Sequence, residues 1–180
     1  MNYPELERLL FHGSNVEIRM VDVSAGAKKK DFGQGFYTTS SKTQAEKFAR
    51  LKAKQRSLAY GYVSVFEYEH NPQLKIRRFE KADLFWLEYV IKNREPYSGD
   101  AEPVPEKYDI VIGPVADDAV GIVVNNFLAG VYGDKNTVEA KNLAIRFLEA
   151  ENLHNQVFFG TRRGANCLRF KEVYRVGIDR

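Results

Sequence analysis

Several residues and patterns that would direct a reading are missing from this sequence. Cys167 is the only cysteine. No intramolecular disulfide can form, and a reducing compartment is the simpler expectation. No histidines and cysteines recur at metal-ligand spacing, so no metal is expected. No stretch approaches the ~18 apolar residues of a membrane span. The opening MNYPELERLL lacks a basic region followed by an apolar run and does not read as a signal peptide. The expectation is a soluble, cytoplasmic protein with no membrane partner. No GxGxxG follows a strand, and neither a P-loop nor a serine nucleophile elbow occurs, which removes support for a Rossmann site, a P-loop NTPase or an α/β-hydrolase. Repeats, low-complexity tracts and linkers are also missing, so residues 1–180 read as one domain.

A domain of this size buries roughly 70% of its unfolded surface. The 180 residues are 44% hydrophobic and 28% charged, an ordinary globular balance, with a net charge of only +3. Aromatics are plentiful, 12 Phe and 10 Tyr, which suits a β-rich core or a site that stacks flat ligands. Two basic clusters occur, Lys28–Lys30 and the run Lys42, Lys47, Arg50, Lys52, Lys54 and Arg56. Both read first as solvated surface, with a phosphate-bearing partner as the alternative.

Residues 9–14 read as a strand ending at a glycine turn, 15–31 as a loop and 36–39 as a strand. Ser40 or Ser41 caps a helix to about Arg56 that turns Ala45, Phe48, Ala49 and Ala53 to one side. Alternation over 60–69, stopped by Asn71-Pro72, marks the clearest strand, and 74–79 looks like its partner. Further elements are a helix over 81–94 with Leu84, Leu87 and Ile91 inward, a Pro/Gly loop over 95–106 and a buried strand at 108–115. Residues 118–132 fit strand or helix equally. Asn136 and Glu139 open a helix that ends near Glu151. Strands at 156–160 and 168–176 close the chain. Strands dominate and helices are interspersed without regular alternation, so the fold class is α+β with antiparallel sheet.

Three short segments carry candidate chemistry. His12-Gly13-Ser14 puts a ring donor and an approachable backbone at a strand end. Phe32-Gly33-Gln34-Gly35-Phe36-Tyr37 bends a loop tightly and presents an aromatic face as the next strand begins. Asn155-Gln156-Val157-Phe158-Phe159 sets polar side chains before an apolar strand. Taken singly, each has an ordinary reading: a structural histidine, a tight turn, a solvent-facing amide.

Together, in this order, the segments resemble the His–Tyr–Glu class of ADP-ribosyltransferases, the poly(ADP-ribose) polymerase branch. The matching stretches are HisGlySer at 12–14, PheGlyGlnGlyPheTyr at 32–37 and SerLysThrGlnAla at 41–45. Over nearly its full length the chain is more similar still to the bacterial domain of unknown function 3990, including 108–118, 155–159 and 168–170. The resemblance implies two small, packed, mostly antiparallel sheets with flanking helices. It implies NAD⁺ as substrate, with His12 bonding the adenosine-side ribose and the Gly13 main chain clamping the carboxamide. Tyr37 would stack on the nicotinamide, Ser14 and Gly35 would border the dinucleotide, and either Ser41 or Thr43 would contact the amide. Gln156 falls where the class carries its catalytic glutamate.

Breaking the nicotinamide–ribose bond builds positive charge on the ribose, as in glycoside hydrolysis. The site must hold the leaving group and stabilise that cation. Gln156 can bond a ribose hydroxyl but carries no charge, and the loss of one such electrostatic group costs on the order of 10²–10³ in rate. Mono-ADP-ribosylation of a protein or nucleic-acid acceptor is therefore expected over chain extension. Asp109, Asp117 and Asp118 read as turn residues and caps before they read as replacement carboxylates. The resemblance also implies a toxin paired with a small antitoxin protein. Two alternatives stay open: a non-catalytic NAD⁺ or ADP-ribose binding module, and an RNA-directed transferase guided by the basic 42–56 helix.

Overall fold

The computed structural model describes residues 8–94, 107–114, 118–149 and 155–178. The expected 95–106 loop and Asp117 lie outside them, as does the side chain of Asp118. In chain order the elements are β1 (Leu9–Ser14), a 3₁₀ turn (Val23–Ala25), β2 (Phe36–Thr39), α1 (Lys42–Gln55), β3 (Tyr60–Tyr68), β4 (Ile76–Arg78), α2 (Leu84–Arg94) and β5 (Ile110–Pro114). α3 (Asp118–Leu128), α4 (Val138–Glu149), β6 (Asn155–Phe159), α5 (Arg162–Ala165) and β7 (Leu168–Gly177) follow. The class is α+β.

The expected pair of sheets is corrected to one. All seven strands form a single sheet in the order β4-β5-β6-β2-β1-β3-β7, antiparallel except for the parallel β4–β5 pair. The halves β4-β5-β6-β2 and β1-β3-β7 meet at β1–β2, where the register is Phe11↔Thr39 alone. β1 and β3, by contrast, are matched over six positions, from Leu9↔Glu67 to Ser14↔Tyr62. One registered pair makes the sheet continuous, but the strands diverge beyond it and leave a wedge.

The sheet curls around a cluster to which both halves contribute, among them Leu10, Phe36, Phe66, Ile110, Val157 and Phe159. Ile18, Val21 and Val23 of the 15–35 segment pack against it. On the opposite face α2, α3 and α4 cover the β5–β6 half through Trp86, Val90, Val124, Ala144 and Phe158. α1 covers the other half. Its buried side is a stripe of alanines, Ala45, Ala49 and Ala53, which lets the helix lie very close to β1 and β3. A Cβ on Gly13 would stand 2.1 Å from the Ala45 carbonyl oxygen, and one on Gly61 2.3 Å from that of Ala49. Both glycines are there because backbone passes backbone at contact distance.

Details differ from the sequence reading where tertiary contacts decide. Phe48 leaves the alanine stripe and is 44% exposed. The 74–79 segment pairs with β5 and not with β3, because Asp109 draws it in: the Lys75 amide donates to Asp109 Oδ2 at 2.8 Å. In α2 the fully buried positions are Trp86, Leu87 and Val90, with Leu84 and Ile91 half-buried. Residues 118–128 are helical. α4 is capped by Thr137, whose Oγ1 accepts from the Ala140 amide, while Asn136 belongs to a turn built on Asp134.

Candidate functional site in the wedge between the first two strands

Beyond Phe11↔Thr39 the ladder between β1 and β2 stops, and a side chain takes its place. His12 Nδ1 lies 2.7 Å from the Tyr37 main-chain oxygen. Because that partner only accepts, Nδ1 carries the proton and donates, leaving the lone pair on Nε2. The ring stacks on Phe36 with centroids 4.4 Å apart and planes 30° apart. Burial holds the imidazole below its ordinary pKa, although its bond to the Tyr37 carbonyl works the other way. The ring is therefore neutral near pH 7.

His12, Gly13 and Ser14 open onto a cavity of about 240 Å³, whose other walls are Asn15 and, from α1, Phe48, Lys52, Gln55 and Arg56. Pockets for small molecules run from about 300 Å³ upward. This one is smaller than that range. Ser14 Oγ accepts weakly from the Val16 amide at 3.3 Å and faces the opening.

Antiparallel partners point to the same face of a sheet. The registers Phe11↔Thr39, Thr39↔Gln156 and Tyr37↔Phe158 therefore place Tyr37, Thr39 and Gln156 on one face. His12, stacked on Phe36, is on the other. Tyr37 and Gln156 come together on neighbouring strands, and His12 touches Tyr37 through its main chain alone. The Tyr37 ring packs on Phe158 at 4.8 Å, and its hydroxyl donates to the Gly33 carbonyl at 2.7 Å and accepts from the Phe32 amide at 3.1 Å. Burial raises its pKa far above that of a free phenol. Gln156 is buried, with its amide nitrogen 3.5 Å from the Pro114 carbonyl.

The remaining expected site residues divide. Gly35 serves packing: a Cβ there would sit 2.4 Å from both the Phe158 ring and the Phe159 carbonyl oxygen. Ser41 caps α1, its Oγ accepting from the Gln44 amide at 3.2 Å, and Thr43 is exposed one residue inside. Both lie about 20 Å along the helix from Arg56 and do not line the cavity. Asp109 is committed to structure. Burial alone would raise its pKa, but bonds from Arg163 and Thr161 outweigh this and hold it below the ordinary carboxylate value. Among the described residues no group of three or more His, Cys, Asp or Glu is arranged to hold a metal ion, and no helix is long and apolar enough to cross a membrane.

The sequence reading did not place Phe48, Lys52 and Arg56 at the site, although a phosphate-bearing partner stood as the alternative for the basic run that holds Lys52 and Arg56. They recur at i, i+4 and i+8 beside the alanine stripe, and that spacing was the available signal.

An α+β domain with one curled sheet and a cavity between the end of its first strand and its first helix is the class of protein that fold and site define. Residues 9–170 match the family described as protein of unknown function (DUF3990), and the chain belongs to that family. No curated protein matches the chain.

Proposed function

We propose that this protein is an NAD⁺-dependent mono-ADP-ribosyltransferase acting on a macromolecular acceptor. The observation that carries the reading is the wedge itself. A neutral His12 with Nδ1 tied to the Tyr37 carbonyl borders a cavity that also takes in Gly13 and Ser14. In that state Nε2 can accept from a ribose hydroxyl. The reaction breaks the C1′–N bond, the electron pair leaving with neutral nicotinamide, while an acceptor lone pair bonds C1′ and the acceptor gives up its proton. Gln156 offers hydrogen bonds without charge, which fits single transfer to a reactive acceptor.

The family resemblance extends the proposal to a bacterial toxin neutralised by a small antitoxin protein. Incubating the purified protein with labelled NAD⁺ and lysate tests the core of it: nicotinamide release and label transfer are expected, both lost in His12→Ala.

A second reading, a non-catalytic NAD⁺ or ADP-ribose binding module, draws on two observations. The Tyr37 hydroxyl is engaged by the Phe32–Gly33 backbone, and the glutamate position holds an amide. Calorimetric binding of NAD⁺ with no turnover would select it.

A further inference from the structure

One wall of the His12 cavity is cationic, and its charges are uncompensated. Lys52 of α1 and Arg56, the residue that caps its C-terminus, are four positions apart and both line the cavity. Neither forms an ion pair among the described residues. Lys52 is half-buried, and its ammonium sits 5.0 Å over the exposed ring of Phe48, which fixes its direction. Lys29 and Lys30 line a separate cavity of about 360 Å³, together with Asp31 and Arg94.

We infer that this wall is a pyrophosphate subsite, in which Lys52 and Arg56 bind the paired phosphates of a nucleoside diphosphate whose ribose reaches His12. The inference rests on the NAD⁺ reading above and names the residues that would hold the middle of the dinucleotide. Arginine pairs with phosphate oxygens in bidentate fashion and lysine as a point charge, so the two together suit adjacent phosphates. The Lys52 pKa is lowered by burial and then by the charges of Lys30 and Arg56. Lys52 and Arg56 share the cavity wall with no anionic partner among the described residues. Their convergence on a concave cavity favours an end-bound diphosphate over a strand of nucleic acid, which is tracked by cations spread along a groove.

Calorimetry with ADP, ADP-ribose and nicotinamide riboside, on the full chain, tests this. The proteins are wild type, Lys52→Ala, Arg56→Ala, the double variant and, as an exposed control on the same helix, Lys47→Ala, each with its fold checked by thermal melting. The double variant should bind ADP and ADP-ribose at least about tenfold more weakly. It should bind nicotinamide riboside, which has no phosphate, as wild type does. Raising salt should weaken ADP binding to wild type more than to the double variant. The inference is overturned if wild type binds no ADP, if the double variant binds ADP like wild type, or if only binding of a single-stranded RNA oligonucleotide falls. Nicotinamide release separates it from the proposed reaction. Cleavage of NAD⁺ by the double variant with unchanged KM would leave the reaction and remove the subsite. ADP binding through Lys52 and Arg56 with no NAD⁺ cleavage would do the reverse.

Discussion

His12 Nδ1 and the Tyr37 main-chain oxygen, 2.7 Å apart, join two strands at the point where their own ladder has ended. A side chain thus adds a second link beside the one registered pair, and it belongs to a residue that borders the cavity proposed to take the dinucleotide. The same imidazole is a structural tie and a candidate ligand contact.

This double role has a pH signature. The folded His12 pKa lies below the ordinary 6.5, chiefly because of burial. As pH falls, the unfolded chain takes up the proton first. The stability contributed by neutral His12 is therefore complete above 6.5 and is lost as pH drops from there through the folded pKa. His12→Gln, which keeps an amide donor and cannot titrate, should flatten the fall in Tm between about pH 7 and 5. An unchanged acid limb in that variant would show that His12 is not the group responsible.

Gly13→Ala should disrupt the fold and not merely the site. Its Cβ would meet the Ala45 carbonyl oxygen at 2.1 Å and the Ala49 nitrogen at 2.9 Å, backbone atoms of a helix that cannot swing aside. A loss of about 3 kcal/mol is expected, a drop in Tm of about 6–12 °C for a chain of this length. A variant that melts with wild type would mean α1 sits farther from β1 than described.

Tyr37 separates hydroxyl from ring. Tyr37→Phe leaves the Phe32 amide without its acceptor and should cost about 1–2 kcal/mol, or about 2–8 °C in Tm. It keeps the packing on Phe158. If the ring is what NAD⁺ uses, Phe at 37 should retain turnover per folded molecule and Ala should lose it. Equal loss in both would assign the hydroxyl, through the Phe32–Gly33 loop, as the part that matters.

Much of the fold was legible because the local signals were strong. The 9–14 strand, the 36–39 strand and the Ser41-capped helix appear at their expected bounds, each marked by β-rich composition or an alanine stripe. The two-sheet expectation failed on one pair, Phe11↔Thr39, which no local pattern reports. The wrong partner for 74–79 traces to Asp109, a carboxylate 34 residues beyond the Lys75 amide that it binds. At the site, His12 and Gly13 were readable from their motif. Lys52 and Arg56 were hidden in a basic run that looks solvated until the end of β1 is folded against it.

Gln156→Glu probes the departure from the glutamate-bearing class. With a carboxylate to hold the ribose hydroxyl and face the developing cation, nicotinamide release should rise by about 10²-fold or more. The gain should come with some loss of stability, because the position is buried. No gain in a folded variant would favour the binding-module reading.

The most direct measurement is nicotinamide release from NAD⁺ by wild type and His12→Ala, compared at equal folded concentration as judged by melting. Time-dependent release by wild type, with label moving to a macromolecule and both lost in the variant, is the result expected. Equal release by the two proteins, or none by either across acceptors from cell lysate, would contradict the claim that this wedge cleaves NAD⁺.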